Sequence, residues 1–245
     1  MEKTSMIFGT RAVMEAIRSG REIEKIFVQS GLNNDLIKEM ITLAKQRQVP
    51  YTFTPQQKLN SLSSKNHQGV ICVLATIQYQ SVDDLIHRAF SEGRDPFFLV
   101  LDRITDVRNF GAIARTAECA GLDGIIIADK GNAPISADAV KTSSGALNHL
   151  PVARSADMKK TFQQLKESGI KIVACTEKAS QSLYQTELGG PVAIVVGSEE
   201  DGITPELLRA ADVQVRIPMK GQVGSLNVSV SAGVAIYEGI RQRGK

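Results

Sequence analysis

Phe97-Phe98-Leu99-Val100-Leu101, then Asn109-Phe110-Gly111-Ala112-Ile113-Ala114-Arg115, then Gly124-Ile125-Ile126-Ile127-Ala128: a strand-length apolar run, a segment with helical spacing and a second apolar run. Strands that read as unbroken apolar runs are buried on both faces, which points to a parallel sheet layered between helices. The alternation continues outward from there. It reads as strand 97–101, helix 110–120, strand 124–128, helix 137–147, strand 152–154, helix 158–168, strands 171–175 and 192–196, helix 205–211 and strand 213–218. The last element alternates like a strand over Leu226, Val228, Val230, Ala232 and Val234, while Val230, Val234 and Tyr237 also fit a helix. Its length, reaching Arg243, favours a buried helix. Toward the amino end, polar residues 78–81 read as a linker and 82–91 as a helix. Residues 1–77 repeat the pattern on a smaller scale: helix 11–19, strand 25–30, helix 34–48, strand 51–54, helix 55–62 and strand 70–77. The expectation is an α/β protein with a small module at 1–77, a linker and leading helix at 78–96, and a larger domain at 97–245.

Composition narrows the class. The chain has 245 residues, 42% hydrophobic and 22% charged, which excludes disordered, collagen-like and coiled-coil chains. No apolar run approaches a membrane span, and Met1-Glu2-Lys3-Thr4-Ser5 leads into no secretory core, so a cytoplasmic protein is expected. Cys72, Cys119 and Cys175 are far apart and odd in number, and read as buried free thiols. Three scattered histidines argue against a metal site. Residues 1–80 carry ten Lys+Arg against six Asp+Glu, a net of +4, and residues 81–245 carry nineteen against twenty, a net of −1. A basic first third fits an anionic partner, although so modest an excess also arises by chance.

In parallel α/β sheets ligands sit beyond the carboxyl ends of the strands, and three such loops are unusual here. The first leads from Leu101 to Asn109, a natural helix N-cap. Arg115 lies opposite Ile113 on the helical wheel, facing solvent, a ligand or a pairing with Glu118. The second is Gly197-Ser198-Glu199-Glu200-Asp201-Gly202, whose glycine lets a ligand approach the strand end or simply makes a turn. Three acids in a row make it a poor phosphate cradle. In the third, Ile217-Pro218-Met219 precedes Gly221, Gly224, Ser225 and Asn227, so that Ile217, Met219 and Leu226 can cover a flat heterocycle. A glycine-rich turn with a Ser225 N-cap is the simpler alternative. No glycine fingerprint of a dinucleotide site and no P-loop is present, which speaks against a nucleotide-dependent oxidoreductase.

Taken together and in order, these three loops resemble the signature motifs of the SpoU (TrmH-like) RNA 2′-O-ribose methyltransferases over residues 97–243. Phe8-Gly9 and His67-Gln68-Gly69-Val70 resemble the amino-terminal substrate-binding module of the subgroup acting on a guanosine of large-subunit ribosomal RNA, the RlmB type. The resemblance implies a SPOUT-type trefoil-knotted parallel sheet, S-adenosylmethionine as cofactor, RNA as partner, no metal, and a homodimer formed through the knotted region. It implies cofactor contacts at Gly197, Ile217 and Leu226, with Ser198, Met219 and Gly221 beside them. Catalytic positions would be Arg115, Asn109, Glu199, Ser225 and Asn227. A transfer-RNA acceptor and a non-catalytic RNA-binding assembly factor are the alternatives, the latter disfavoured by five polar positions that a simple binder has no need of.

Overall fold

Two separate hydrophobic cores divide the chain into Met1–Gln78 with Ile135–Ala137, and Tyr79–Pro134 with Asp138–Lys245. The computed structural model describes residues 6–244; residues 1–5, read above for a leader, and residue 245 lie outside the described residues.

The first unit contains β1 (Met6–Phe8), α1 (Thr10–Arg18), β2 (Ile23–Gln29), α2 (Asp35–Gln46), β3 (Tyr51–Thr54), α3 (Gln56–Leu62) and β4 (Val70–Leu74). Its sheet runs β1-β4-β2-β3, antiparallel except for β2 with β3. Val13, Met14 and Ile17 of α1 and Ile37, Met40 and Ala44 of α2 bury one sheet face carrying Ile26, Val28, Val70 and Cys72. The His67-Gln68-Gly69-Val70 motif has a structural reason here. His67 is buried, its Nδ1 accepts from the Gly69 amide (3.0 Å), and its Nε2 lies 3.0 Å from Asn60 Oδ1. Gly69 has φ +77° and a Cβ there would stand 2.3 Å from Leu32, so both backbone and space demand glycine.

The second unit contains β5 (Tyr79–Gln80), α4 (Val82–Ser91), β6 (Phe97–Asp102), α5 (Val107–Cys119), β7 (Gly124–Ala128), α6 (Ala137–Thr142), β8 (Val152–Ser155) and α7 (Met158–Glu167). It continues with β9 (Lys171–Cys175), β10 (Gln181–Ser182), β11 (Val192–Gly197), α8 (Pro205–Ala210), β12 (Val213–Arg216) and α9 (Val228–Arg243). The sheet order is β10-β12-β9-β11-β6-β7-β8-β5, with parallel pairing throughout. From β6 the chain steps outward through β7 and β8, crosses back to place β9 on the far side, and only then slots β11 between β6 and β9. The central β6 and β11 are buried along their whole length. Phe98, Val100, Ile172, Ala193 and Val195 face α4, α7 and α8, while alternation turns Leu99, Leu101, Ile194 and Val196 toward α5 and α9.

Several expectations change. Residues 78–81 are no linker: Tyr79 and Gln80 pair with Val152 and Ala153, and Leu85 and Ile86 of the following helix join the sheet's core. The helix expected at 137–147 breaks after Thr142 and resumes as a short 3-10 turn at Ala146–Asn148. The carboxy-terminal element is a helix, but its inner face is Ala232, Ala235, Ile236 and Gly239, while Val230 and Tyr237 are 50% and 52% exposed. A Cβ on Gly239 would stand 2.6 Å from Phe97, so the small residues let the helix settle onto that ring. Of the cysteines, Cys72 is buried, Cys175 half-buried and Cys119 exposed on α5. Among the described residues, no helix is long and apolar enough to cross a membrane.

Candidate functional site

Helix α5 begins three residues earlier than the sequence suggests, and that shift frees a side chain. Asp106, not Asn109, is its N-cap: its carboxylate accepts from the amides of Arg108 (2.6 Å) and Asn109 (3.0 Å). Asn109 therefore sits in the first turn with its amide group unspent on capping. Asn227, not Ser225, caps α9, its Oδ1 accepting from the Ser229 amide at 2.9 Å. The Nδ2 of Asn227 donates to Asn109 Oδ1 (3.1 Å) and to Glu199 Oε1. Three residues, from the first turn of α5, the acidic loop and the cap of α9, up to 118 positions apart, thus meet at one amide.

The other two polar positions stand apart from this node. Ser225 lines the adjoining cavity. Arg115 is exposed and, six residues along α5 from Asn109, lies about 120° around the helix and ~9 Å along it. No ion pair with Glu118 forms among the described residues.

The acidic loop carrying Glu199 is held from below. Ser198 and Gly202 bridge each other through amide–carbonyl pairs of 3.1 and 3.0 Å. A Cβ on Gly197 would fall 2.1 Å from the Gly202 carbonyl carbon, so this glycine is required by its own loop rather than by a visiting ligand. The buried Asp102 accepts from the Thr204 amide at 2.6 Å. Arg103 donates to Asp201 (2.9 Å) and to the Gly202 carbonyl (3.1 Å). Neither Asp102 nor Arg103 was singled out in the sequence. The available signal was a charged pair at the carboxyl end of a buried strand, where ligand loops begin.

Two cavities flank this loop. The larger, about 610 Å³, is lined by Val196, Gly197, Ser198, Ile217, Met219, Ser225 and Leu226, with the three acids on its wall. Gly224 rather than Gly221 is the lining glycine of the 217–227 loop. Cys175, Thr176, Glu177 and Lys178, at the carboxyl end of β9, also line it and were missed, because nothing local marks β9 as the neighbour of β11. Burial, and to a smaller extent Glu177, pushes the Cys175 thiol up to about 11. The smaller cavity, about 310 Å³, lies between Arg103, Thr105, Asn109 and Gly131 on one side and the same acidic loop on the other.

The larger cavity combines an apolar patch of Val196, Ile217, Met219 and Leu226 with a predominantly polar and acidic wall, at the carboxyl ends of parallel strands where α/β scaffolds take small molecules. Residues 96–237 match the SpoU rRNA methylase family, and residues 6–80 match the RNA 2′-O ribose methyltransferase substrate-binding domain. A Bacillus subtilis (strain 168) protein, YacO, named as a TrmH family tRNA/rRNA methyltransferase, is 34% identical over 97% of this chain and 95% of its own. A crystal structure titled RNA 2′-O ribose methyltransferase superposes with a TM-score of 0.57 at 29% identity, covering 97% of this chain and 88% of its own. The AdoMet-bound rRNA methyltransferase of Sinorhizobium meliloti shares the fold, with a TM-score of 0.61 at 24% identity over 96% of this chain and 86% of its own. The chain belongs to the SpoU/TrmH family of RNA methyltransferases.

Proposed function

We propose that this protein methylates the 2′-hydroxyl of an RNA ribose, with S-adenosylmethionine as donor and a guanosine of large-subunit ribosomal RNA as acceptor, as in the RlmB-type subgroup. The observation that carries this reading is the node of Asn109, Glu199 and Asn227 beside two cavities that share an acidic wall. The larger cavity fits the donor. Ile217, Met219 and Leu226 offer apolar surface to a heterocycle, Gly197 and Gly224 bring backbone close, and the carboxylates favour a cation over a pyrophosphate. When bound, the sulfonium supplies an already activated methyl group.

The chain's own residues then have to place the ribose hydroxyl and ease loss of its proton. Asn227, fixed by its cap and by Glu199, holds the amide of Asn109 in a single orientation. Glu199 is an acceptor within the same node. Arg115 is a poor base, since a guanidinium offers five donors and no acceptor. It serves instead by electrostatics, holding an RNA phosphate and stabilising charge that develops on the 2′-oxygen. Its exposed position away from the node supports a homodimer in which Arg115 of one protomer serves the site of its partner. The exposed Val230 and Tyr237 of α9 supply an apolar face for that pairing. Threading of the 217–243 segment as a trefoil knot belongs to the same reading; the late insertion of β11 and the convergence of two loops on one cavity support it. In the first unit, Lys25 over Phe27 and Lys65 over Phe8, each 5.6 Å from the ring, place cations and aromatics on one sheet, as an RNA surface needs. We assign that unit to substrate binding and residues 97–245 to catalysis.

Ribose-methylation mapping of total RNA with and without the gene tests the function. A single lost guanosine methylation in large-subunit RNA is expected, and a lost transfer-RNA site would reassign the acceptor. Calorimetry with S-adenosylmethionine separates an enzyme from a binding-only assembly factor. Arg115→Ala should abolish transfer with donor affinity intact, and Arg115→Lys should keep part of it; loss of donor binding in Arg115→Ala would refute the role given to Arg115.

A further inference from the structure

We infer that the outward stripe of α5 is a phosphate rail for the RNA strand, in which Arg108 holds a second phosphodiester beyond the one taken by Arg115; the inference rests on the methyl-transfer reading above. The two arginines are seven positions apart, so they stand within about 20° of each other on the helix and ~10.5 Å apart along it. Both are exposed. Among the described residues neither guanidinium has a hydrogen bond or ion pair, whereas Arg94, Arg103, Arg241 and Arg243 spend theirs on internal partners.

The stripe has a shape as well as a charge. Ala112 lies between the arginines on the same side, so a methyl group floors the space between them. On one flank Gly111 lets the end of α6 press in: a Cβ there would stand 2.7 Å from Thr142 Cβ and 3.0 Å from the Ser143 amide nitrogen. On the other flank are Asn109 and Thr116, about 100° and 80° around the helix from Arg108, with Thr116 beside Gly233 of α9. The rail therefore runs between two ridges and alongside the Asn109–Asn227–Glu199 node. Exposed Lys141, at the end of α6, adds charge of the same sign nearby. Two acids border the stripe and neither neutralises it. The Asp106 carboxylate is engaged by the amides of Arg108 and Asn109, and Glu118 is half-buried, a turn beyond Arg115. A guanidinium is planar, always charged and able to give a phosphate two parallel N–H groups. Two of them, kept apart by the helix and by mutual repulsion, serve two phosphates of one strand. Such contacts fix the register of the strand and leave the choice of sequence to other groups.

Filter binding of total RNA from cells lacking the gene, across a salt series, tests the rail. For Arg108→Ala the slope of log affinity against log salt should flatten by about 0.7, the share of one phosphate on a single strand, and affinity at low salt should fall several-fold. Arg108→Lys should keep the parent slope, because the charge stays. Donor affinity by calorimetry and kcat at saturating RNA should remain within about twofold of the parent in both variants. Lys166→Ala removes a cation from α7, on the opposite face of the sheet, and should leave the slope unchanged. A parent-like slope in Arg108→Ala, an equal flattening in Lys166→Ala, or a lost kcat or donor affinity would each overturn the inference. A parent protein that binds RNA with these slopes yet transfers no methyl group would refute the function above and not the rail.

Discussion

The two ends of α9 are built on opposite principles. At the amino end, residues 218–227 are all exposed, and the helix is tied down by one asparagine shared among a cap, Asn109 and Glu199. At the carboxyl end everything is fastened. Glu238, only 7% exposed, takes Arg241 in two contacts of 2.8 and 2.7 Å and Gln242 in a third. The Gln242 amide also donates to the Thr186 carbonyl (3.0 Å) and accepts from the Leu188 amide (2.8 Å). Arg243 stacks 4.4 Å from the Phe97 ring and donates to the carbonyls of Asp95 (2.9 Å), Pro96 (3.3 Å) and Gly190. One end anchors the helix so that the other can stay open to a ligand.

That contrast predicts that substitutions at the two ends fail in different assays. The largest effect should be on turnover: Asn227→Ala disperses the node and should slow methyl transfer by about 10²–10³-fold, while costing only the ~1 kcal/mol of a lost cap. Single-turnover kinetics beside a denaturant titration would show whether the two losses separate. Arg243→Ala should do the reverse. Losing the ring stack and three carbonyl bonds should cost about 2–4 kcal/mol of unfolding free energy, with kcat unchanged at a permissive temperature. A parallel fall in kcat would mean that the ends are coupled. Gly239→Ala drives a methyl group into Phe97 and should cost about 1–3 kcal/mol by the same titration. Arg103→Gly should be nearly neutral in stability. It relieves a left-handed backbone, worth up to about 1 kcal/mol, and gives up a partly exposed ion pair and one carbonyl hydrogen bond that together are worth about as much; turnover should nonetheless drop several-fold as the acidic loop between the two cavities loosens.

The smallest effect concerns thiol chemistry. Cys119 should be alkylated first at neutral pH. Cys175, pushed up to about 11, and Cys72, pushed up to about 12 by burial, hold their protons and should lag, with rates that climb as the pH rises. Mass mapping of the labelled peptides at two pH values checks the order.

The parallel sheet was legible because β6, β7 and β11 are buried on both faces and so spell themselves as apolar runs. The family motifs relate the three loops to one another within the sequence, and the structure joins Asn109, Glu199 and Asn227 while leaving Arg115 outward. Other features left no local mark. β5 and β10 are two residues each, too short for any periodicity. Asp106 and Asn109 are both good caps, and only the backbone course chooses between them. In α9 the hydropathy of Val230 and Tyr237 misleads, because close approach to Phe97 demands alanine and glycine on the inner face. The Arg103–Asp201 clamp spans 98 positions, beyond the reach of any window.

The place of β11 also bears on how the chain is made. A ribosome delivers β6 through β9 first, and until residues 192–197 emerge these strands cannot close into one sheet. A nascent chain stalled before that point would present two bare hydrogen-bonding edges to its neighbours, a setting for aggregation. Shortening the gene by its last quarter, which takes β11 with it, would therefore not yield a smaller enzyme but a sticky half-sheet.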